Sequence, residues 1–118
     1  MALHNELGKY GEELGKQFLL TKGFSILYVN WKYSRFEIDI IASKDQVLRF
    51  VEVKTRKSER FGLPEESVDK KKFEKLMSAA EAFLYKHPQW KRVQYDILSI
   101  SFTADGKPEI FFIEDVFL

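Results

Sequence analysis

The chain has no cysteine among its 118 residues. That excludes disulfides, thiolate nucleophiles and cysteine-ligated zinc, and it fits a reducing cytoplasm. Histidine is nearly as scarce: His4 and His87 are the only two. Neither has a ligand partner at useful spacing, and both read as surface residues. No apolar run approaches the roughly 20 residues of a membrane-crossing helix. Residues 1–10 also lack the apolar core of a signal peptide. The expectation is a cytoplasmic protein with no membrane partner. An excess of one charge is missing too, since 19 Lys+Arg against 18 Asp+Glu leave a net charge of +1. Affinity for nucleic acid would therefore have to come from local clustering of charge. No Gly-rich phosphate loop is present and strands do not alternate regularly with helices, which removes the parallel dinucleotide fold. Internal repeats, linkers and low-complexity segments are absent.

What the chain does have is apolar and aromatic mass. A hydrophobic content of 45%, with 11 Phe and 5 Tyr, supports a packed globule rather than a disordered chain. The length suits one domain, residues 1–118, with a single core.

From Asn5 to Lys22, the residues Leu7, Tyr10, Leu14 and Phe18 recur at helical spacing, and Gly23 stands where a C-terminal cap belongs. Gly8, Gly11 and Gly15 each cost about 1 kcal/mol in a helix relative to alanine. Gly11 and Gly15 are one turn apart, so they mark a close approach of this helix to a sheet. Ser25 to Asn30 reads as a first strand and 30–36 as its connection to a hairpin. A second helix runs from Ser67 or Val68 to Lys86. Phe73, Leu76, Met77, Ala80, Phe83 and Leu84 form its apolar stripe, and Pro88 follows its end. Val93 to Phe102 is a strand, 103–107 a hairpin turn, and Glu109 to Ile113 the returning strand. The tail with Phe111, Phe112, Val116, Phe117 and Leu118 reads as a cover for the sheet or as a homodimer contact. The order α-β-β-β-α-β-β is that of an α/β domain with a central mixed β-sheet flanked by helices.

The chemistry concentrates between Glu37 and Lys54, two strands joined by a polar turn from Ser43 to Gln46. Alternation puts Glu37 and Asp39 on one face with Ile41. It puts Leu48, Phe50, Glu52 and Lys54 on one face, with Val51 and Val53 on the other. Both strands are apolar on both faces near their middles, as strands covered from both sides are. Asp39, Glu52 and Lys54 stand in that setting. An unpaired buried carboxylate costs on the order of several kcal/mol. Two carboxylates on adjacent strands suit a divalent cation held by oxygen ligands. The structural alternative is an internal ion-pair set with Lys54 as the counter-ion. Past Lys54 comes a basic loop with Arg56, Lys57 and Arg60, ending at Phe61-Gly62-Leu63-Pro64. A solvated loop is its plain reading, but its place beside the carboxylates favours phosphate contacts. Lys70, Lys71 and Lys72 open the second helix, where cations oppose the helix dipole. An anionic partner there would offset that cost.

Asp39 followed by Glu52-Val53-Lys54 resembles the catalytic signature of the PD-(D/E)XK nuclease superfamily. A longer ordered set resembles the YraN-like family, small bacterial proteins of unassigned function related to archaeal Holliday-junction resolvases. That set comprises Gly11-Glu12, Asn30, Glu37-Ile38-Asp39, the run from Phe50 to Arg56, Phe61-Gly62, Lys72 with Ala79-Ala80, and Tyr95-Asp96.

The resemblance implies a restriction-endonuclease-like core and metal-dependent hydrolysis of a phosphodiester. Asp39 and Glu52 would hold Mg²⁺ or Mn²⁺, with the Val53 backbone carbonyl as a further ligand and Glu12 directed at the site from the first helix. Lys54 would orient the attacking water or stabilise charge on the phosphorane. Arg56, Lys57, Arg60, Lys70 and Lys72 would lie along the nucleic-acid backbone, and Asp96 would be structural or would support the metal ligands from behind. Contacts of this kind read phosphate and shape, which favours a structured DNA over RNA. The chain departs from the family at Phe36, where a glycine usually precedes Glu-Ile-Asp. That departure favours a second reading, a nucleic-acid-binding or protein-interaction module on a nuclease scaffold.

Overall fold

The apolar spacing from Leu7 to Phe18 closes into helix α1, Ala2–Thr21, which begins ahead of Asn5. The structure is a computed structural model that describes residues 2–56 and 70–116, with side chains from 7 to 56 and from 71 to 116. Lys57, Arg60, the 61–64 turn, the Ser67 and Val68 helix start, Phe117 and Leu118 lie outside the described residues, as do the side chains of His4 and Lys70. Leu7, Leu14, Phe18 and Leu19 of α1 pack on a cluster that includes Ile40, Val51, Val53, Leu98 and Ile100. The close approach expected of the two helix glycines is present. A Cβ at Gly11 would collide with the Thr55 side chain, and one at Gly15 would come within 2.6 Å of Leu98 Cδ2. Tyr10, expected on the apolar side, stacks on Phe102 yet stays more than half exposed.

Five strands form one sheet in the order β1-β2-β3-β4-β5. They are β1 (Ser25–Tyr33), β2 (Phe36–Lys44), β3 (Val47–Arg56), β4 (Val93–Phe102) and β5 (Pro108–Ile113). All neighbours are antiparallel except β3 and β4, which run parallel. Helix α2 (Lys70–Lys86) lies in the crossover between those two strands. The sheet is therefore mixed, and the element order α-β-β-β-α-β-β is observed.

The segment 30–36 is not the irregular connection that its composition indicates. β1 continues through it to Tyr33, and a tight turn at Ser34 and Arg35 leads into β2. Two left-handed residues make this possible, Asn30 at φ 55° and Ser34 at φ 57°. Asparagine is among the few non-glycine residues that visit this region readily. Asn30 falls between the Val29–Ile40 and Trp31–Ile38 pairs, opposite Asp39. The strands change phase there. Tyr28 and Trp31 both meet the Phe83 ring of α2, and Ile38 and Ile41 both join the α2 cluster, whereas Ile40 joins the α1 cluster. Strict alternation from Glu37 through Asp39 to Ile41 is thus broken at the Asn30–Asp39 position.

The β2–β3 turn is a two-residue one with Asp45 at φ 53° and Gln46 at φ 67°, the double left-handed conformation that matches strand twist. The second face of the sheet carries Phe73, Leu76, Ala79, Ala80 and Phe83 of α2 against Ile38, Ile41, Leu48, Phe50 and Ile97. Burying a side chain such as Phe50 or Phe83 contributes about 1.5–3 kcal/mol. Met77, expected in that stripe, is exposed. Among the described residues no helix is long and apolar enough to cross a membrane.

Candidate functional site

The site begins where two strands part. Pairing between β2 and β3 runs from Lys44–Val47 to Ile40–Val51 and stops there. β2 continues toward Phe36 paired with β1, while β3 continues toward Arg56 paired with β4. Asp39 and Glu52 are the first residues past the last pair, one on each prong of the fork. The Val53 N–H would be orphaned at such a divergence. Instead it donates to Asp39 Oδ2 at 2.8 Å. One carboxylate oxygen of Asp39 is thereby fixed.

Helix α1 supplies a third carboxylate. With no side chain at Gly11, the helix seats on Thr55, and the next residue, Glu12, lines a hollow with Gly8, Val53, Lys54, Thr55 and Lys72. The Asn30 side chain hydrogen-bonds Glu12, so the residue that shifts the phase of β1 also orients the helix carboxylate. A second hollow, about 260 Å³, is lined by Phe36, Glu37, Asp39, Glu52, Lys72 and Lys75, with Arg35 and Leu76 at its margin.

Electrostatics set this site apart. Burial pushes the Asp39 carboxyl up to about 8, and the charge of Glu52 adds to the rise. The Val53 N–H opposes it, and Glu12 and Glu37 contribute smaller repulsions. Glu12 is also raised, first by burial, against which the Asn30 hydrogen bond acts, with Glu37 and Glu52 adding repulsion. Desolvation and like charges both disfavour the ionised form, so Asp39 and Glu12 hold their protons more tightly than exposed carboxyls do.

The counter-ion is not Lys54. Lys72 Nζ lies 3.1 Å from Glu52 Oε2, and among the described residues Lys54 forms no ion pair with either carboxylate. Lys54 lines the hollow with Glu12 instead. Arg56 ends β3 on the far side of Lys54, and the backbone of Lys70 begins α2. The structure thus brings together Asp39, Glu52, Val53, Lys54, Glu12 and Lys72. Lys57, Arg60 and the Lys70 side chain lie outside the described residues.

Among the described residues, no three Asp, Glu, His or Cys side chains converge to enclose a metal ion by themselves. The donor set is nonetheless of the right kind for Mg²⁺ or Mn²⁺. Hard divalent cations take oxygen ligands, and Mg²⁺ is commonly held by one or two carboxylates and its own waters. Asp39 Oδ1 and Glu52 Oε1 are the oxygens of the pair that the Val53 N–H and the Lys72 ammonium leave over.

Two participants had no local signal in the sequence: Asn30 as the partner of Glu12 and Lys72 as the partner of Glu52; Glu37, two residues before Asp39 on the same strand, adds its charge to Asp39. Phe36 lines the hollow beside Asp39 and Glu52, with the Arg35 guanidinium 5.5 Å from the centre of its ring. Its backbone is not left-handed; Ser34 takes that role in the turn.

Residues 11–100 match the sequence profile described as "Uncharacterised protein family UPF0102". The chain is similar to the UPF0102 protein of Flavobacterium psychrophilum, 43% identical over 100 residues that cover 85% of this chain and 84% of that one. It is 42% identical over 105 residues to the UPF0102 protein of Dictyoglomus thermophilum, covering 88% of this chain and 89% of that one. With the UPF0102 protein of Phocaeicola vulgatus the identity is 39% over 117 residues, covering 95% and 97%. The matched span takes in α1 from Gly11 onward and every site residue described above, and the chain belongs to the uncharacterised protein family UPF0102.

Proposed function

We propose that this protein is a divalent-cation-dependent nuclease that hydrolyses phosphodiester bonds in structured DNA. The observation that carries the reading is the fork: two carboxylates, Asp39 and Glu52, at the divergence of two central strands, with a third from α1 and a lysine two residues beyond Glu52, Lys54, that forms no ion pair among the described residues. The ion pair at the fork joins Lys72 to Glu52, and Asp39 is raised by burial and by the charge of Glu52, which supports this reading over a closed ion-pair set.

In this reading Asp39, Glu52 and the Val53 carbonyl hold Mg²⁺ or Mn²⁺. When bound, such a cation lowers the pKa of a water and polarises the scissile phosphate. The Val53 N–H fixes Asp39 for that task. Glu12, oriented by Asn30, reaches the site directly or through water. Lys54 orients the attacking water or donates to the charge that develops on phosphorus-bound oxygen. Arg56, Lys57, Arg60, Lys70 and Lys72 position the phosphodiester backbone. Such contacts carry affinity without reading base sequence, which is why shape selects the substrate.

The experiment is a Mg²⁺ and Mn²⁺ titration of cleavage on linear and branched DNA, beside calorimetry of metal binding. Cleavage and binding heat should both vanish in Asp39→Ala and Glu52→Ala. Equal heats for parent and variants sink the metal site. A second reading, binding without cleavage, is favoured by Phe36 at the mouth of the hollow. A protein that binds metal and DNA yet never cleaves selects it, and Phe36→Gly is then the next change to test.

A further inference from the structure

The pair between Lys72 and Glu52 joins a fixed carboxylate to an exposed cation. Glu52 lies on a central strand with its side chain only 10% exposed, whereas the Lys72 side chain is 44% exposed. Lys72 follows Lys70 and Lys71, and the first turn of α2 has no acidic residue. A cation in that turn is disfavoured by the helix dipole, and Glu52 offsets the cost. Lys72 is also the one residue that lines both described hollows. Lys72 thus borders the hollow of Asp39 and Glu52 and also the hollow of Lys54 and Glu12.

We propose that Lys72 is an exchangeable internal counter-ion: it neutralises Glu52 in the free protein, yields Glu52 to a bound divalent cation, and turns to a substrate phosphate. The proposal rests on the metal-dependent reading above and adds a competition to it. Ammonium and metal claim the same carboxylate, so apparent metal affinity is reduced by the fraction of molecules in which the pair is closed. The coupling is reciprocal. A phosphate that draws Lys72 away raises metal affinity, and a bound metal loosens the hold of Glu52 on Lys72 and so favours its turn to phosphate. Cation and substrate then bind cooperatively, and the free protein holds metal weakly.

Calorimetric titration of Mg²⁺ and Mn²⁺ into the full chain tests this, using the parent, Lys72→Gln, Lys72→Arg and Lys71→Gln. Lys72→Gln should bind metal about three- to tenfold tighter than the parent. Lys72→Arg, whose planar fork grips a carboxylate at two points, should bind more weakly than the parent. Lys71→Gln makes the same charge change one residue away and should stay within about twofold. Thermal melts confirm that each variant is folded, and Mg²⁺ should raise the midpoint of Lys72→Gln more than that of the parent. Equal affinities for the parent and both Lys72 variants overturn the exchange and leave the metal reading standing. A Lys71→Gln gain equal to that of Lys72→Gln also overturns it, because net charge alone would then account for the effect. No binding in any of the four proteins overturns the metal reading and the exchange together.

Discussion

Two aspartates in adjacent parts of the sheet have opposite surroundings. Asp96, on β4, is almost wholly buried and accepts from Arg49 Nη1 at 3.0 Å, Gln94 Nε2 at 3.0 Å and the Asp115 N–H at 2.9 Å. Arg49 also reaches Glu114 at 2.9 Å, and the Val116 N–H donates to the Tyr95 carbonyl at 2.8 Å. This network ties the segment after β5 back across the sheet. Asp39, on β2, has among the described residues the Val53 N–H as its hydrogen-bond donor, and three carboxylates act on it. A saturated carboxylate stabilises, whereas an undersupplied one is a standing cost unless something arrives to meet it. The contrast separates the aspartate that builds the fold from the one to which the proposed function assigns chemistry.

The largest effect should come from breaking the saturated end. Asp96→Ala leaves the partly buried Arg49 with the half-exposed Glu114 and releases the Asp115 N–H. Urea denaturation should show a loss of about 3–5 kcal/mol, with cleavage per folded molecule unchanged. A loss under about 1 kcal/mol would make the two aspartates energetically alike and remove the contrast.

Lys54→Met should behave in the opposite way. It keeps the aliphatic stem and removes a charge that no described carboxylate pairs with, so stability should shift by about 0.5 kcal/mol or less. Cleavage should fall by about two to three orders of magnitude if Lys54 acts as an oxyanion-hole donor does. A destabilised variant whose folded fraction cleaves normally rejects that role.

Asp39→Asn sharpens the comparison through pH. A carboxyl raised to about 8 in the folded state binds its proton more tightly there than in the unfolded chain, where its pKa is about 3.9. Its contribution therefore favours the fold below about pH 4 and is lost as pH rises through about 8. The metal-free parent should melt lower at pH 9 than at pH 5. The variant should lose less over that range, by about 4–8 °C if the relief is worth about 1 kcal/mol. Saturating Mg²⁺ should flatten the parent's dependence instead. The smallest change belongs to Glu12→Gln. It preserves shape and removes one of the repelling charges, so stability should stay within about 0.5 kcal/mol, while calorimetry shows weaker metal binding.

Much of the fold was legible because its signals are local. The stripe from Phe73 to Leu84, the paired glycines at Gly11 and Gly15 and the polar turn before Val47 each announce an element within a few residues. The extension of β1 was not legible, because it depends on Asn30 and Ser34 taking a backbone conformation that side-chain type only permits. At the site, Asp39 and Glu52 stood out as acids in apolar strands, whereas Glu12 was visible only through family resemblance. Lys72 was legible as a cation at a helix start, but its partner was not. A contact between a crossover helix and a strand leaves no periodicity to read. The Arg49–Glu114 bond, spanning 65 residues, is hidden for the same reason.

The fork also bears on the order in which the molecule assembles. Asp39 and Val53 are 14 residues apart and joined by a two-residue turn, while Arg49 and Asp96 are 47 apart across the α2 crossover. Hairpins form in about 1–10 μs, and non-local parallel pairing is slower because its loop must close first. The two carboxylates therefore meet before α2 delivers Lys72, and the folding chain passes through a stage in which their repulsion is least compensated. Stopped-flow refolding should accordingly be faster for Asp39→Asn than for the parent at pH 9, and the difference should vanish below about pH 4, where the carboxyl of the unfolded chain is itself protonated.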